Sequence, residues 1–408
     1  MAIFYQYFPP DDVVSSVHFG DLASGLAQRG WDVTAYPCVW SCRGEGQRFP
    51  TYSVWKEVAI RRLWRPRFRQ ISSNGRILNA IWMIASWCWL ATRIWPRPAV
   101  LIVGTDPVLS VLVARVWKFL SPRTCIVHWC FDLYPEAAIA DGLLQPNGLT
   151  ARLLSRLICP AYAACSLIAD LGPCMRRILA KYPSPARRET LVPWALFEPD
   201  APALPSAEER RSIFDRPRLA LLYSGTFGRA HSWQEILDLT ERLEPHNIKV
   251  AFSVRGNRVA ELQSAIRERG LDIPFVPFAR ADRLRDRLAC ADIHIVSLRK
   301  EWTGMVVPSK FFGALAAGRP VLFAGSLDSA VARWIQQFHV GWVLEQDNVE
   351  RVSHQLIDYA ASSEARTEMN KRCFATYRNQ FSREVQIDLW NQSLRALISA
   401  STFPASAP

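Results

Sequence analysis

The sequence predicts an α/β fold made of two doubly wound, Rossmann-like domains that face each other across a cleft. The chain has 408 residues, which is enough for two domains of ordinary size. Short apolar strands alternate with helices in both halves, as is typical of parallel sheets. Residues 198–217 interrupt this alternation with prolines and charges, so they are predicted to link the two domains.

The N-terminal domain is predicted over residues 1–197. Its strands are short runs of β-branched, aromatic and other apolar residues. Pro9 and Pro10 stop the first strand, and Gly30 ends the helix that follows it. The predicted strands are residues 2–8, 31–36, 100–103, 125–129 and 165–169, with a helix near residues 17–29.

The C-terminal domain is predicted over residues 218–378. The same strand and helix alternation restarts there, which favours a second parallel sheet with helices on both faces. The predicted strands are residues 219–223, 249–254, 293–298, 320–324 and 341–344.

Residues 306–322 hold the most informative pattern in the chain. Ser309 is predicted to cap a helix, and Lys310 lies in the first turn of that helix. A helix N-terminus offers free N–H groups and a positive dipole end, to which the ammonium adds a full charge. The pattern favours a phosphate site, although an ordinary strand–helix–strand unit with a solvated lysine would look the same.

A second loop of the same kind follows the strand at residues 219–223. Gly225 and Gly228 permit close approach of the backbone to a ligand, and the Arg229 guanidinium can fork onto phosphate oxygens. Ser232 and Glu235 have the spacing of a capping box, which predicts that a helix begins there. Two cation-bearing loops in one α/β domain together predict a diphosphate site.

Composition narrows the classes of partner. The formal net charge of +12 favours negatively charged partners such as nucleic acid, anionic lipid or nucleotide substrates. No recognisable nucleic-acid-binding module is present, so no nucleic-acid partner is predicted. The ten cysteines are scattered, and the chain opens on a strand rather than a signal peptide, which indicates a cytoplasmic protein. Cys38 and Cys42 lack further ligands and no Asp-x-Asp motif occurs, so no metal is predicted.

Residues 56–98 break the alternation. An arginine cluster at residues 61–69 surrounds Trp64 and Phe68, and residues 77–95 are apolar and rich in tryptophan. One interpretation is a core helix of the first domain. A second is a helix partly exposed for membrane docking, with the arginines on anionic headgroups. A spanning helix of about 28 Å is the third, but polar interruptions and the strand that follows closely argue against it.

Over nearly its whole length, the chain resembles the GT-B glycosyltransferases of the broad family-4 retaining group. The bacterial branch that builds exopolysaccharide, capsule or O-antigen is the most similar. The segments that carry the resemblance are residues 6–11, 105–107, 128–136, 223–231, 307–310, 315–320 and 381–383, with Trp390. The resemblance implies that residues 379–400 form a C-terminal helix that returns to the first domain.

The resemblance also implies transfer of a sugar from a nucleotide-sugar, with UDP as the expected nucleotide, and retention of anomeric configuration. The expected acceptor is a saccharide or a polyprenyl-diphosphate-linked saccharide, at the inner face of the cytoplasmic membrane. Lys310 and Arg229 would neutralise the leaving diphosphate, so neither a metal nor another cofactor is expected. The other residues assigned to the nucleotide-sugar are Gly225, Gly228, His231, Arg255, Phe278 and Ser309.

The first domain is expected to bind the acceptor, with Asp132 near its hydroxyl group. Asp132 would orient the acceptor or a neighbouring group, or else would only cap its loop. Family members often carry a histidine just before this aspartate, where this chain has Phe131. His128 lies three residues before Phe131, on a strand, and is interpreted as a core histidine.

The second domain also departs from the family pattern. Many members place two glutamates eight residues apart around the signature helix, and the later one holds the ribose. Met305 and Gly313 occupy those positions here, and Glu301 is out of step, so the ribose contact is unassigned. Two other functions therefore stay open: a GT-B nucleotide-sugar epimerase, and a non-catalytic membrane-associated partner of a polysaccharide assembly complex.

Overall fold

The computed structural model describes residues 1–11, 13–42, 46–68 and 72–402. Arg69 of the predicted arginine cluster lies outside these ranges. The chain divides into two compact units, and the first combines residues 1–192 with the chain from Gln386 onward. The second unit is residues 193–385.

The first unit is built on an eight-stranded sheet. Its elements are β1 (Ala2–Phe4), α1 (Val14–Ala27), β2 (Thr34–Ala35), β3 (Tyr52–Trp55), β4 (Val58–Arg61), α2 (Ser73–Arg93), β5 (Val100–Val103), α3 (Val113–Leu120), β6 (Cys125–Trp129), α4 (Glu136–Ala140), α5 (Leu149–Ala163), β7 (Leu167–Asp170), α6 (Pro173–Leu179) and β8 (Arg187–Thr190). The strand order is β3-β4-β2-β1-β5-β6-β7-β8. The pair β3 and β4 is antiparallel, and the other neighbours are parallel.

The second unit is built on a five-stranded parallel sheet of order β10-β9-β11-β12-β13. Its elements are α7 (Ala207–Phe214), β9 (Leu219–Thr226), α8 (Gln234–Leu243), β10 (Ile248–Arg255), α9 (Val259–Glu268), α10 (Leu284–Ala289), β11 (Ile293–Ser297), α11 (Lys310–Ala316), β12 (Val321–Ala324), α12 (Ala330–Phe338), β13 (Gly341–Leu344), α13 (Val349–Ala361) and α14 (Ser363–Thr376). A final helix, α15 (Arg383–Thr402), starts in this unit and belongs to the first unit from Gln386 onward.

Both sheets reverse their strand order at one point. In the first unit the reversal falls between β1 and β5, and in the second between β9 and β11. Loops that leave the carboxyl ends of the strands separate at such a point and form a crevice suited to a ligand. The loops after β1, β5, β9 and β11 are therefore placed to form sites.

Helix α2 packs one of its faces into the core, as one of the sequence interpretations predicts. Met83, Trp87, Leu90 and Ala91 are buried on it. The Trp87 ring stacks on Phe4 at 5.4 Å between centroids, and its Nε1 donates to a backbone carbonyl at 2.8 Å. None of the helices in the described ranges is both long and apolar enough to cross a membrane.

The first strand is shorter than the sequence predicts. It ends at Phe4 instead of residue 8, because the chain turns there to pack aromatic rings. Tyr5 stacks on Phe19 with 4.0 Å between ring centroids, and both rings lie against Gly104. These two rings thus occupy the space that a side chain at residue 104 would need.

The hairpin of β3 and β4 is absent from the sequence prediction. Trp55 pairs with Val58, so only Lys56 and Glu57 form the turn. Both turn residues have positive φ, at 46° and 68°. Tight hairpins of this kind favour asparagine and glycine, so a Lys-Glu pair carries no turn signal.

The segment at residues 198–217, which the sequence predicts to be a linker, instead belongs to the second unit and contains α7. The Ser206 hydroxyl caps this helix by accepting from the Glu209 amide at 3.2 Å. Ile213 and Phe214 at its end pack against Ala220 and other buried residues of the sheet. Two apolar residues at the end of a charged helix are enough to anchor it, although the segment as a whole is polar.

Helix α15 covers part of the first unit. Trp390 lies edge-on to Trp129, with 5.1 Å between ring centroids. Ile387 rests on Gly25 of α1, where an added Cβ would lie 2.5 Å from its Cδ1. Residues near the end of the chain therefore complete a core that begins at residue 2.

We expect Gly104→Ala to destabilise the first unit by about 1–3 kcal/mol, because its Cβ would overlap both Tyr5 and Phe19. Urea unfolding followed by tryptophan fluorescence would measure this as a lower midpoint. Gly313→Ala is the matched control, since an added Cβ there meets nothing closer than 3.4 Å and lies inside α11. Equal urea midpoints for Gly104→Ala and the wild-type protein would contradict the close packing of Tyr5 and Phe19 on Gly104.

Candidate functional site

Lys310 is the centre of the site in the second unit. It is the first residue of α11 and follows the loop that leaves β11. Its Nζ lies 3.4 Å from His231 Nε2 and 5.4 Å from the centre of the Tyr223 ring. Burial lowers the pKa of Lys310 to about 8, and no carboxylate among the described residues offsets this effect. Lys310 is thus a half-buried ammonium with no acidic partner among the described residues.

His231 is fixed as a neutral hydrogen-bond acceptor for this ammonium. Its Nδ1 lies 2.7 Å from the carbonyl oxygen of Ser297. A carbonyl can only accept, so Nδ1 carries the proton and Nε2 presents its lone pair to Lys310. Burial, together with the nearby Lys310 charge, lowers the pKa of His231 to about 3, so the ring stays neutral at neutral pH.

Gly225 lies directly beneath the Lys310 side chain. Its φ of +134° is rarely adopted by other residues, and an added Cβ would lie 2.6 Å from Lys310 Cε. Gly228 is different, because its φ is not positive and an added Cβ would meet only Asn257 Oδ1, at 3.5 Å. Within the protein itself, therefore, glycine is required at position 225 but not at position 228.

Arg299 joins the loops after β9 and β11, and no sequence motif identifies it as a site residue. The Arg299 amide donates to the Ala230 carbonyl at 2.8 Å, and its guanidinium donates to the Arg229 carbonyl at 3.4 Å. Glu301 forms an ion pair with Arg299 at 3.4 Å. The neighbouring loop thus holds the backbone of Arg229, a contact that no sequence pattern predicts.

Arg255 and Phe278, which the sequence assigns to one pocket, lie together. The Arg255 guanidinium is 4.0 Å from the centre of the Phe278 ring, a cation–π contact. Phe278 is 36% exposed. Arg255 pairs in the sheet with Thr226, the residue after Gly225. Because Gly225 lies against Lys310, the end of β10 that carries Arg255 borders the Lys310 site.

The two predicted serine caps are wrong in detail. Ser309 flanks α11 with helical dihedral angles, and its side chain makes no cap bond. The amides of Phe311 and Phe312 already donate to the carbonyls of Pro308 and Ser309, at 3.3 and 3.1 Å. The Ser232 hydroxyl, in turn, donates to the Glu235 carboxylate at 3.2 Å instead of accepting from the backbone. The charge at this site therefore comes from side chains rather than from capped helix ends.

The first unit carries a shallow pocket at the carboxyl ends of β5 and β6. Its lining residues are Thr105, Leu109, Ser110, Val111, His128, Asp132, Tyr134 and Tyr162. The His128 Nδ1 lies 2.9 Å from the Val103 carbonyl oxygen, so Nε2 is an acceptor. Burial lowers the pKa of His128 to about 4, which keeps the ring neutral. His128 is buried, as predicted, but it also lines the pocket.

Asp132 and Asp106 bring two carboxyl groups close together beside this pocket. Asp132 is open to solvent at the mouth, yet protein surrounds its other sides, and this desolvation raises its pKa to about 6. Burial and the charge of Asp132 raise the pKa of Asp106 to about 7. The pKa values of both carboxyl groups are thus raised towards neutrality. The sequence alone does not identify Asp106 as a site residue, because its raised pKa depends partly on the proximity of Asp132.

Comparisons with known proteins agree with this architecture. No protein-family model matches the chain. The probable glycosyltransferase WbjE of Pseudomonas aeruginosa is 23% identical over 258 residues, which span 60% of this chain and 62% of WbjE. The "putative colanic acid biosynthesis glycosyl transferase WcaI" of Escherichia coli is 25% identical over 353 residues. That match spans 81% of this chain and 84% of WcaI.

Solved structures match over almost the full chain. A sucrose-phosphate synthase from Thermosynechococcus elongatus superposes with a TM-score of 0.73 at 14% identity, covering 98% of this chain and 99% of the other. WaaG, a glycosyltransferase involved in lipopolysaccharide biosynthesis, gives 0.62 at 17% identity, covering 97% and 99%. Anabaena HepE in complex with UDP gives 0.66 at 11% identity, covering 97% and 100%. The chain therefore has the GT-B fold that the sequence predicts, and it is similar to bacterial polysaccharide glycosyltransferases.

Proposed function

We propose that this protein transfers a sugar from a UDP-sugar to a saccharide, free or linked to polyprenyl diphosphate, in bacterial surface polysaccharide synthesis. The observation that carries this proposal is the half-buried ammonium of Lys310, which lies 3.4 Å from the neutral His231 and lacks an acidic partner among the described residues. A bound diphosphate would supply the negative charge that no carboxylate among the described residues provides to Lys310. The names of WbjE and WcaI, and the UDP bound to HepE, support the same class of reaction.

Departure of the nucleoside diphosphate is the step that this site assists. Negative charge grows on the diphosphate as the bond between the sugar and the diphosphate breaks, and a preformed cation beside it stabilises that charge. Lys310 supplies that cation, and Arg229 lies on the loop that Arg299 holds beside it. With these charges in place the reaction needs no metal. The paired Arg255 and Phe278 offer a flat surface for uracil.

The polar lining of the pocket in the first unit suits the hydroxyl groups of a saccharide acceptor. Its hydroxyl-bearing residues, together with the His128 Nε2 acceptor, suit a sugar. Asp132 at the mouth accepts a hydrogen bond from the acceptor hydroxyl and orients it for attack. With its pKa near 6, the Asp132 carboxyl is ionised in most molecules at neutral pH and is available as an acceptor. Retention of configuration rests on the family resemblance.

We expect UDP to bind in EDTA and to stabilise the protein by about 2.7 kcal/mol at one hundred times its dissociation constant. Calorimetric titration and thermal unfolding measure both quantities, with ADP and GDP as controls. Lys310→Met should weaken UDP binding by about 10- to 100-fold, because a charged hydrogen bond to phosphate is lost. Lys310→Ala should abolish sugar transfer.

The matched control for these variants is Lys371→Met, which removes an exposed lysine of α14 in the same unit. It should bind UDP as the wild-type protein does. Selective binding of ADP or GDP would keep the fold and change the donor. If no nucleotide binds or stabilises the protein, the proposed transferase function is wrong and the non-catalytic partner is favoured. If the protein releases a changed sugar nucleotide without any acceptor, it is an epimerase.

The affinity for UDP should also fall as the pH rises above 8. The charged form of Lys310 binds the diphosphate, and its lowered pKa of about 8 means that this form is lost as pH passes through that value. If the neutral amine does not bind, the affinity decreases by up to about tenfold for each further pH unit. Lys310→Arg keeps its charge throughout, so it should show no such fall. A wild-type affinity that stays flat between pH 7 and 9.5 would contradict the assignment.

We further infer that the protein binds the inner face of the cytoplasmic membrane through one surface of the first unit. Helices α2, α3 and α5 lie side by side and contain no aspartate or glutamate. We call the surface they form the acid-free face. Its basic residues are Arg76, Arg93, Arg115, Lys118, Arg152 and Arg156.

Exposed apolar side chains accompany these charges. On α5, Leu149, Leu153 and Leu157 recur every four residues and so form one stripe, in which Leu149 is 83% exposed. On α3, Phe119 is 82% exposed, and Trp82 and Trp89 are exposed on α2. Apolar and aromatic side chains flanked by positive charge suit the interface of a bilayer that contains anionic lipid.

Vesicle sedimentation tests this surface. The protein should bind vesicles that contain phosphatidylglycerol, bind pure phosphatidylcholine vesicles weakly, and dissociate as salt is added. The double variant Leu153→Glu and Leu157→Glu should lose at least fivefold in partitioning, because each substitution exchanges apolar area for repelled charge. Leu204→Glu alters a leucine of the second unit that is 88% exposed, and should have no effect. Equal losses in both variants would argue against the acid-free face.

A further inference from the structure

We propose that His231 is a positioning residue, whose neutral imidazole aims the Lys310 ammonium at the nucleotide diphosphate without cancelling its charge. This inference rests on the proposed function, since it concerns the same donor site. The His231 ring touches Lys310 through a single acceptor atom, Nε2, at 3.4 Å.

Both the ring and the backbone of His231 are held in place. Nδ1 bonds to the Ser297 carbonyl at 2.7 Å, and the His231 amide donates to the Gly228 carbonyl at 3.0 Å. Arg258 Nη1 donates to the His231 carbonyl at 2.9 Å. The Phe227 ring lies 5.6 Å from the imidazole. A ring fixed in this way can orient a flexible lysine, whose side chain has several rotatable bonds.

The chemistry of the position favours a neutral acceptor. A carboxylate at position 231 would form an ion pair with Lys310 and neutralise the charge that a diphosphate needs. An apolar ring would leave the ammonium unguided, and a second cation would repel it. Imidazole accepts one of the three ammonium hydrogens, which leaves two for phosphate oxygens.

The charged and titratable groups around this pair agree with that role. Lys310 reaches His231 from α11, and Arg258 approaches from the start of α9. The Tyr223 ring of β9 lies 6.0 Å from the imidazole at 82°, and burial holds the pKa of its hydroxyl well above the usual range. Both cations disfavour protonation of His231, so the ring stays an acceptor across the pH range in which Lys310 titrates.

The test compares His231→Glu, His231→Phe and His231→Gln in the full-length chain. UDP affinity is measured from pH 7 to 9.5 in EDTA, and the Lys310 pKa is read without ligand by NMR of labelled lysine side chains. We expect His231→Glu to weaken UDP binding at least tenfold and to move the Lys310 pKa up by at least one pH unit. His231→Phe should also weaken binding, without that upward shift, while His231→Gln should retain more affinity than His231→Phe.

The outcomes separate this inference from the proposed function. A His231→Glu variant with the wild-type Lys310 pKa would overturn the positioning role, and so would equal affinity losses in all three variants. If His231→Glu shifts the Lys310 pKa but the wild-type protein binds no UDP, the proposed function fails while the contact between His231 and Lys310 stands. Uridine, which lacks phosphate, should bind the wild-type protein and all variants alike, and a loss confined to the variants would overturn the positioning role.

Discussion

The second unit is organised around one unfavourable arrangement, a half-buried ammonium that has no carboxylate partner in the described part of the chain. Removing a charge from water is costly unless an opposite charge or hydrogen bonds compensate it. The lowered pKa of Lys310 expresses that cost. Gly225 gives the side chain room, and His231 holds its end without neutralising it. The order reversal between β9 and β11 allows the two loops to meet at this point.

In both units, burial favours the uncharged form of an ionisable group, whether that group is a base or an acid. It moves the pKa of Lys310 from 10.5 to about 8, and that of Asp106 from 3.8 to about 7. Acids and bases whose pKa values approach neutrality exchange protons readily under physiological conditions. Burial lowers the pKa of His128 to about 4 and, with the nearby Lys310 charge, lowers that of His231 to about 3, so both rings stay neutral and serve as hydrogen-bond acceptors rather than as acids.

The sequence predicts some features well and others not at all, for physical reasons. The strands β5 and β6 match their predicted bounds, because strands covered on both faces are continuous apolar runs. The turn at Lys56 and Glu57 is missed, because its geometry is imposed by strand pairing against local preference. Residue types alone point to the loops of Gly225 and Lys310. The roles of Arg299 and Asp106 depend on neighbours distant in sequence, which no local pattern reveals.

The discontinuous first unit has a consequence for synthesis on the ribosome. Residues 193–385 must be made before the part of α15 that covers Trp129 and Gly25 exists. At typical rates of 5–20 residues per second, this interval lasts on the order of 10 to 40 s. During that time an aromatic surface of the nascent first unit is bare, while the whole second unit emerges. The first unit can therefore complete its core only after residues 386–402 have been made.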